Sequence, residues 1–278
     1  VRLTDQSGHR SNYTFANPNG TLTAYYSDTA LAADLTNYVT KYDYVDGALS
    51  LVINKNHWTI AYTYNGLTGA DKKVLNTVQF KDLDGDRQVS SGDTIRSQTF
   101  YDPTDQSNKR ILKIDEYKTG TVWGGNWNDA TDLSPYVKST SIYGYGTGQD
   151  NDKIAFVDVY KNGANLVNGS IVMANGAYKK STTIYNLTSP NNEIRYSQSF
   201  FSSGTSQSTT IYDYDVDGKT LRTTAQFKED LSPIAASSLA AQILADGQIQ
   251  ESELLALPVS GPQVRSITHF LGFRGRER

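Results

Sequence analysis

The sequence predicts a mainly β protein: an array of antiparallel β-hairpins, stacked as a sandwich, a propeller-like assembly or a shell, with a short α-helical C-terminal segment. Three observations carry this. The 278 residues include 19 tyrosines and 22 glycines, with abundant Ser, Thr and Asn, a composition of half-buried pleated strands joined by tight turns. Short segments repeat: Thr77-Val78-Gln79-Phe80-Lys81-Asp82 returns as Thr224-Ala225-Gln226-Phe227-Lys228-Glu229, and Ile95-Arg96-Ser97-Gln98-Thr99-Phe100-Tyr101 returns with one insertion as Ile194 to Phe201. Beyond Leu231 the alternation gives way to apolar residues at helical spacing.

The hairpins follow a frame. An outgoing strand ends on an aromatic residue, as in Ser141-Ile142-Tyr143, Thr183-Ile184-Tyr185 and Thr210-Ile211-Tyr212, and leads into an acidic or Asn/Gly/Pro turn. A return strand begins at Ile154, Ile194 or Leu221 and reaches Tyr160, Phe200 or Phe227 six residues later. One hairpin cannot bury its apolar face alone, so several must stack into a core. Gly144-Tyr145-Gly146-Thr147-Gly148 reads as a hairpin turn and not a phosphate loop, since no Gly-Lys-Ser/Thr follows. These hairpins occupy residues 1–230.

Residues 231–258 form the helical segment, with Ser232 as N-cap, Pro233 at the first helical position and apolar residues through Leu244. Asp246 to Leu254 then copies the second half of an EF-hand loop, but its first two ligand positions would be Gln242 and Leu244, neither a carboxylate. Residues 259–278 are a basic, aromatic tail. Phe270, Leu271 and Phe273 are expected to bury area, and Arg274, Arg276 and Arg278 to orient the tail against carboxylates, docking it on its own β domain or on a neighbouring copy.

The most chemically specific stretch is Asp82-Leu83-Asp84-Gly85-Asp86-Arg87-Gln88-Val89-Ser90-Ser91-Gly92-Asp93. Counting Asp82 as position 1 puts Asp84 at 3, Asp86 at 5, the Gln88 carbonyl at 7 and Asp93 at 12, the ligand positions of a twelve-residue Ca²⁺ loop. Such a cation needs six to eight oxygens, and alternate carboxylates in a tight loop converge on one point. Arg87 stands where a turn glycine is usual. The flanking Thr77 to Phe80 and Thr94 to Phe100 read as strands, against a helix-loop-helix. Asp213, Asp215 and Asp217, with Gly218, repeat the first half of the pattern; Thr224 would stand at position 12, so a weaker Ca²⁺ site is expected there.

In the spacing of its acids, in Val89 and in its terminal aspartate, the Asp82 to Asp93 loop resembles dockerin-type calcium loops. Tyr214-Asp215-Val216-Asp217-Gly218, and more loosely Tyr42 to Leu49, resemble the tyrosine-aspartate (YD or RHS-type) repeats of secreted bacterial proteins. That resemblance implies an extracellular structural β array.

Other chemistry is excluded or unmarked. No cysteine is present, so disulfides, zinc-thiolate sites and thiol catalysis are impossible. A net charge of -3 argues against nucleic acid as a partner, and no apolar run approaches a membrane span. The three histidines share no metal-ligand spacing, and no Gly-x-Ser-x-Gly or His-Glu-x-x-His occurs, so the balance is against an enzyme without deciding the matter. Asn12, Asn19, Asn168 and Asn186 head N-glycosylation sequons. The expected function is an extracellular or cell-surface structural or adhesive β-repeat protein, stabilised by Ca²⁺ and self-assembling or pairing with another surface protein. The alternatives are a polysaccharide-active enzyme and a carbohydrate-binding module using Trp123 and Trp127, whose indole faces stack on sugar rings.

Overall fold

A computed structural model describes residues 2–4, 10–16, 22–27, 40–45, 48–54, 58–67, 71–84, 88–105, 109–122, 135–215, 218–228, 232–244, 249, 254 and 263–270. The chain divides into two compact units, Val1–Lys138 and Ser139–Arg278. The first holds β1 (Arg2–Thr4), β2 (Arg10–Ala16), β3 (Leu22–Ser27), β4 (Thr40–Val45), β5 (Ala48–Asn54), β6 (Trp58–Tyr64), β7 (Val74–Lys81), β8 (Thr94–Tyr101) and β9 (Ile111–Tyr117). They pair antiparallel in chain order. The second holds β10 (Val137–Tyr145), whose first residues precede the boundary, then β11 (Ile154–Lys161), β12 (Ala164–Val167), β13 (Ser170–Met173), β14 (Tyr178–Tyr185), β15 (Ile194–Phe200), β16 (Ser206–Tyr214), β17 (Leu221–Lys228), helix α1 (Pro233–Ile243) and β18 (Gln263–His269). Here the order is β10-β11-β14-β15-β16-β17-β18, with β12-β13 a separate hairpin inserted between β11 and β14. The protein is thus mainly β and built of antiparallel hairpins, as predicted. Among the described residues, neither unit forms the separate four-stranded blades of a propeller.

The hairpin frame is visible in the register. Leu49, Val74, Ile111, Ile154, Ile194 and Leu221 pair with Tyr44, Tyr64, Tyr101, Tyr145, Tyr185 and Tyr214, and each pair adjoins a register shift. Two outgoing strands therefore run two residues further than expected, to Tyr145 and Tyr214 instead of Tyr143 and Tyr212. Gly144 accordingly lies in a strand, opposite Phe156, where an added Cβ would meet the Phe156 ring at 2.0 Å. Asx turns close several hairpins: Asn65 Oδ1 accepts from the Leu67 amide, Asp102 Oδ1 from Thr104 and Asn186 Oδ1 from Thr188. The β12-β13 turn is Asn168-Gly169, both at positive φ, 48° and 76°, which a two-residue hairpin requires.

Period-two alternation puts one face of each sheet inside. In the first unit Val78, Phe80, Ile95, Tyr117 and Val137 form a cluster, with Ala61 and Val89 packed against it. In the second, an apolar row across the sheet includes Ile184, Tyr196, Ile211, Ala225 and Ile267. One rung over, the row is polar: Asp158, Thr182, Gln198 and Thr209, held by Thr182 donating to Asp158 and by Gln198 Nε2 donating to Thr209 Oγ1 at 3.0 Å. The cross-strand bonds of Asp158, Thr182, Gln198 Nε2 and Thr209 offset the cost of burying this polar row.

Helix α1 starts where Ser232 and Pro233 place it: the Ser232 hydroxyl accepts from the Ala235 amide at 3.2 Å. Its Ala236, Leu239, Ala240 and Ile243 join Tyr196, Ile211, Ala225 and Phe227 in one buried cluster, completed by Ile249 and Leu254. The described residues of the helical segment are therefore part of the second unit's core. The described part of the tail docks within the chain, as β18 paired to β17, with Val264 and Ile267 against the same cluster. Phe270 is exposed, and its amide donates to the Arg222 carbonyl at 2.8 Å. Leu271, Phe273, Arg274, Arg276 and Arg278 lie outside the described residues.

One assignment of repeats needs correction. Ile95 to Tyr101 lies in an outgoing strand and Ile194 to Phe201 in a return strand, so their likeness is not positional. The structural counterpart of Ile95-Arg96-Ser97 is Val264-Arg265-Ser266 in β18. Ile95 and Ser97 pair with Phe80 and Gln79, and Val264 and Ser266 with Phe227 and Gln226.

Candidate metal centre

The acidic loop leaves β7 at Lys81 and re-enters β8 at Thr94, so it is a hairpin connection between strands, as its flanks foretold. Asp93 is its anchor. At 1% exposure, it accepts the Leu83 amide on Oδ1 at 3.0 Å and the Ser90 amide on Oδ2 at 2.9 Å. One carboxylate thus ties both ends of the loop, and the neighbouring Gly92, at φ 113°, takes the turn that precedes it. Val89 reaches down into the Val78, Phe80 and Ile95 cluster. The loop is fixed from inside by an aliphatic side chain and from its end by a carboxylate.

Asp82, Asp84 and Asp93 each bring a carboxylate oxygen to within 4.8 Å of the others, in a graded setting of half-buried, exposed and buried side chains. The Ser90 hydroxyl donates to Asp84 Oδ2 at 2.9 Å and lies 3.4 Å from Asp93 Oδ2. Three carboxylates at this separation repel one another, and a cation among them relieves that repulsion. The amide bonds to Asp93 leave each oxygen a second lone pair, so anchoring the loop and binding an ion are compatible. This cluster could hold a metal ion, and its donors are all oxygen, which suits a hard cation. Gln88 is exposed at the loop surface, and Asp86 lies outside the described residues. Ser90, at position 9 of the loop, thus adds a hydroxyl oxygen beside the carboxylates.

The second acidic run is built differently. Asp213 is 2% exposed within β16, and both its oxygens are engaged by Arg222, with Nε to Oδ2 at 2.9 Å and Nη2 to Oδ1 at 2.9 Å. Oδ2 also accepts the Ile249 amide at 3.2 Å. The guanidinium stands where a cation was expected, because Arg222 occupies the register shift of β17 beside Asp213. Asp215 is exposed past the strand end and Asp217 lies outside the described residues, so the described structure does not bring these aspartates together. Ile249 itself belongs to the second unit's core.

Two further ion pairs sit on the inner faces: Lys113 with Asp115 at 3.0 Å and Lys179 with Asp158 at 2.6 Å. Burial raises the Tyr117 phenol far above its ordinary value, with Asp115 adding to the effect, and its hydroxyl donates to Gln98 Oε1 at 3.2 Å. Tyr160 is raised in the same way by burial, then by the charge of and hydrogen bond to Asp158. These groups hold the sheet, and Tyr117 also lines a groove of the first unit. Trp123 and Trp127 lie outside the described residues. No family model matches the chain, and no curated protein matches it either.

Proposed function

We propose that the chain is a Ca²⁺-stabilised structural or adhesive β-repeat segment of an extracellular or cell-surface protein. The observation that carries this is the acidic hairpin loop, whose three clustered carboxylates sit on a connection already anchored in a core by Val89. An ion there does no chemistry on a substrate; it holds a strand connection closed. Asp82, Asp84 and Asp93 would be its ligands, with Asp86 and the Gln88 carbonyl completing the oxygen shell that a cation of this size requires. Millimolar Ca²⁺ is an extracellular condition suited to a site of modest affinity, and a chain without cysteine gains from an ion the cross-linking that disulfides give other secreted domains. The hairpin order, continuous from β1 to β9 and broken in the second unit only by the β12-β13 and α1 insertions among the described residues, also fits a structural array.

The test is a pair of thermal melts, in EDTA and in millimolar Ca²⁺, with light scattering in both buffers to read self-association. Ca²⁺ should raise the melting temperature of the wild-type chain and leave that of Asp84→Ala unchanged. Identical wild-type curves would remove the ion from the reading.

A further inference from the structure

The metal loop faces the inner cluster, but the first unit also has a groove of about 760 Å³, within the ~300–1,000 Å³ of small-molecule sites, which touches Ile95 and Tyr117 of that cluster while Gln79, Ser97 and Glu116 line it from the alternate positions of their strands. Its floor is the cross-strand row Gln79, Ser97 and Glu116, flanked by Thr99 and Ile114. Trp58 lines it as well, and three cations, Arg96, Lys118 and Lys138, stand with the single carboxylate of Glu116.

Arg96 is placed there by a defect in the ladder. Gln79 pairs with Ser97 and the next residue, Phe80, pairs with Ile95, so Arg96 is the extra residue of a β-bulge. Bulges re-aim side chains, and this one sets the guanidinium over the Trp58 indole, 5.7 Å from the ring centroid. An arginine stacked on a ring keeps its N–H edge for a carboxylate, which it can take with two parallel hydrogen bonds. The remaining lining sets amide and hydroxyl groups beside the indole and the aliphatic Ile95 and Ile114: groups that donate and accept in pairs beside apolar surface, the chemistry that recognises a pyranose ring and its hydroxyls. Lys118 Nζ donates to the Pro135 carbonyl at 3.0 Å.

We propose that this groove binds an acidic saccharide chain, with the Arg96 guanidinium on a sugar carboxylate and the hydroxyl and amide floor on the ring hydroxyls. The excess of cations selects a negatively charged ligand, and the polar floor disfavours an apolar peptide. The site shares no residue with the metal cluster, so it stands or falls independently of Ca²⁺.

Calorimetric titration of the full chain with a short oligogalacturonate, in EDTA so that no ion bridges protein and ligand, tests it. Saturable binding is expected. Arg96→Ala should weaken it at least tenfold, and Arg96→Lys, which keeps the charge but loses the planar fork, several-fold; both should melt as the wild type does. Lys138→Ala should weaken it about threefold and flatten its salt dependence. Arg265→Ala, at the equivalent bulge of β18 and outside the groove, should have no effect. The proposal is overturned by an absence of binding, by equal affinity for a neutral maltooligosaccharide or for oligoglutamate, or by wild-type affinity in Arg96→Ala.

Discussion

Two hairpins of this chain are built alike and closed differently. In the first unit β7 carries Thr77-Val78-Gln79-Phe80 and in the second β17 carries Thr224-Ala225-Gln226-Phe227; both phenylalanines are fully buried, and both face an aliphatic residue followed by a bulged arginine. Between the paired strands the first hairpin has the acidic loop of residues 82–93, and the second has residues 229–262, which include α1. The loop contributes one aliphatic side chain, Val89, to the cluster around Phe80, whereas α1 contributes Ala236, Leu239, Ala240 and Ile243 to the cluster around Phe227. A helix carries its own backbone hydrogen bonds and brings several apolar residues at once. A loop has neither advantage, so its closure rests on Asp93 and on the charge state of its carboxylates. The comparison teaches that one core position can be covered by hydrophobic area or by an electrostatically closed connection, and only the second responds to ions.

The widest effect expected is from alkali, because it acts on both units. The Tyr117 and Tyr160 phenols keep their protons in the fold well above the value of about 10 at which the unfolded chain releases them. The folded state then binds more protons than the unfolded one. Stability is full below about pH 10 and declines as pH rises beyond it. Melting temperature should fall steeply from pH 10 to 11.5, less so in Tyr117→Phe; a flat profile across that range would refute the burial argument.

Phe80→Ala and Phe227→Ala should each lose about 3–5 kcal/mol in denaturant titrations, since both remove a fully buried ring. A loss much smaller for one of them would break the equivalence of the two hairpins. Arg222→Ala should follow at about 3 kcal/mol, because it strands the Asp213 carboxylate, 1% exposed, without its ion-pair partner. Its effect should not depend on Ca²⁺.

Ca²⁺ at a hundredfold excess over Kd should add about 2.7 kcal/mol to the wild type. Asp84→Ala should abolish that gain while changing stability in EDTA little, since Asp84 is exposed, whereas Asp93→Ala should destabilise in either buffer by unpairing the Leu83 and Ser90 amides. Smallest, Ser232→Ala should remove about 1 kcal/mol through the lost cap of α1 and leave the Ca²⁺ response intact.

Much of the hairpin pattern was legible because spacing alone encodes it. The aliphatic residue that opens a return strand and the aromatic six residues later mark the two ends of each pairing, and Val74 with Phe80 and Ile111 with Tyr117 extend the pattern into the first unit. Ser232 and Pro233 announced α1 by local chemistry. What stayed hidden depends on pairing across the sheet. Val264-Arg265-Ser266 was not matched to Ile95-Arg96-Ser97, because Ile267 replaces Gln98 and the helical insertion separates β18 from its partner. Alternate aspartates at 213 and 215 mimic a ligand run, and nothing in their spacing reveals that the register brings Arg222 beside the first of them. The meeting of Trp58 with Arg96 likewise needs three strands and a bulge, none of which a linear pattern displays.

The order of pairing has a kinetic consequence. Within each unit most strands find their partners in the next strand along the chain, so most strand pairings close loops of modest length. Chains dominated by such local closures fold faster than sandwiches of similar size, and a hairpin can form and grow strand by strand without waiting for a distant segment. Two strands are exceptions: β14 joins β11 across the local β12-β13 hairpin, and β18 joins β17 only across residues 229–262, after α1 has had the opportunity to settle on the sheet. Refolding should therefore show a fast phase shared by the meanders and a slower one reported by His269, whose Nδ1 lies 3.2 Å from Thr223 Oγ1 only when that last strand is in place.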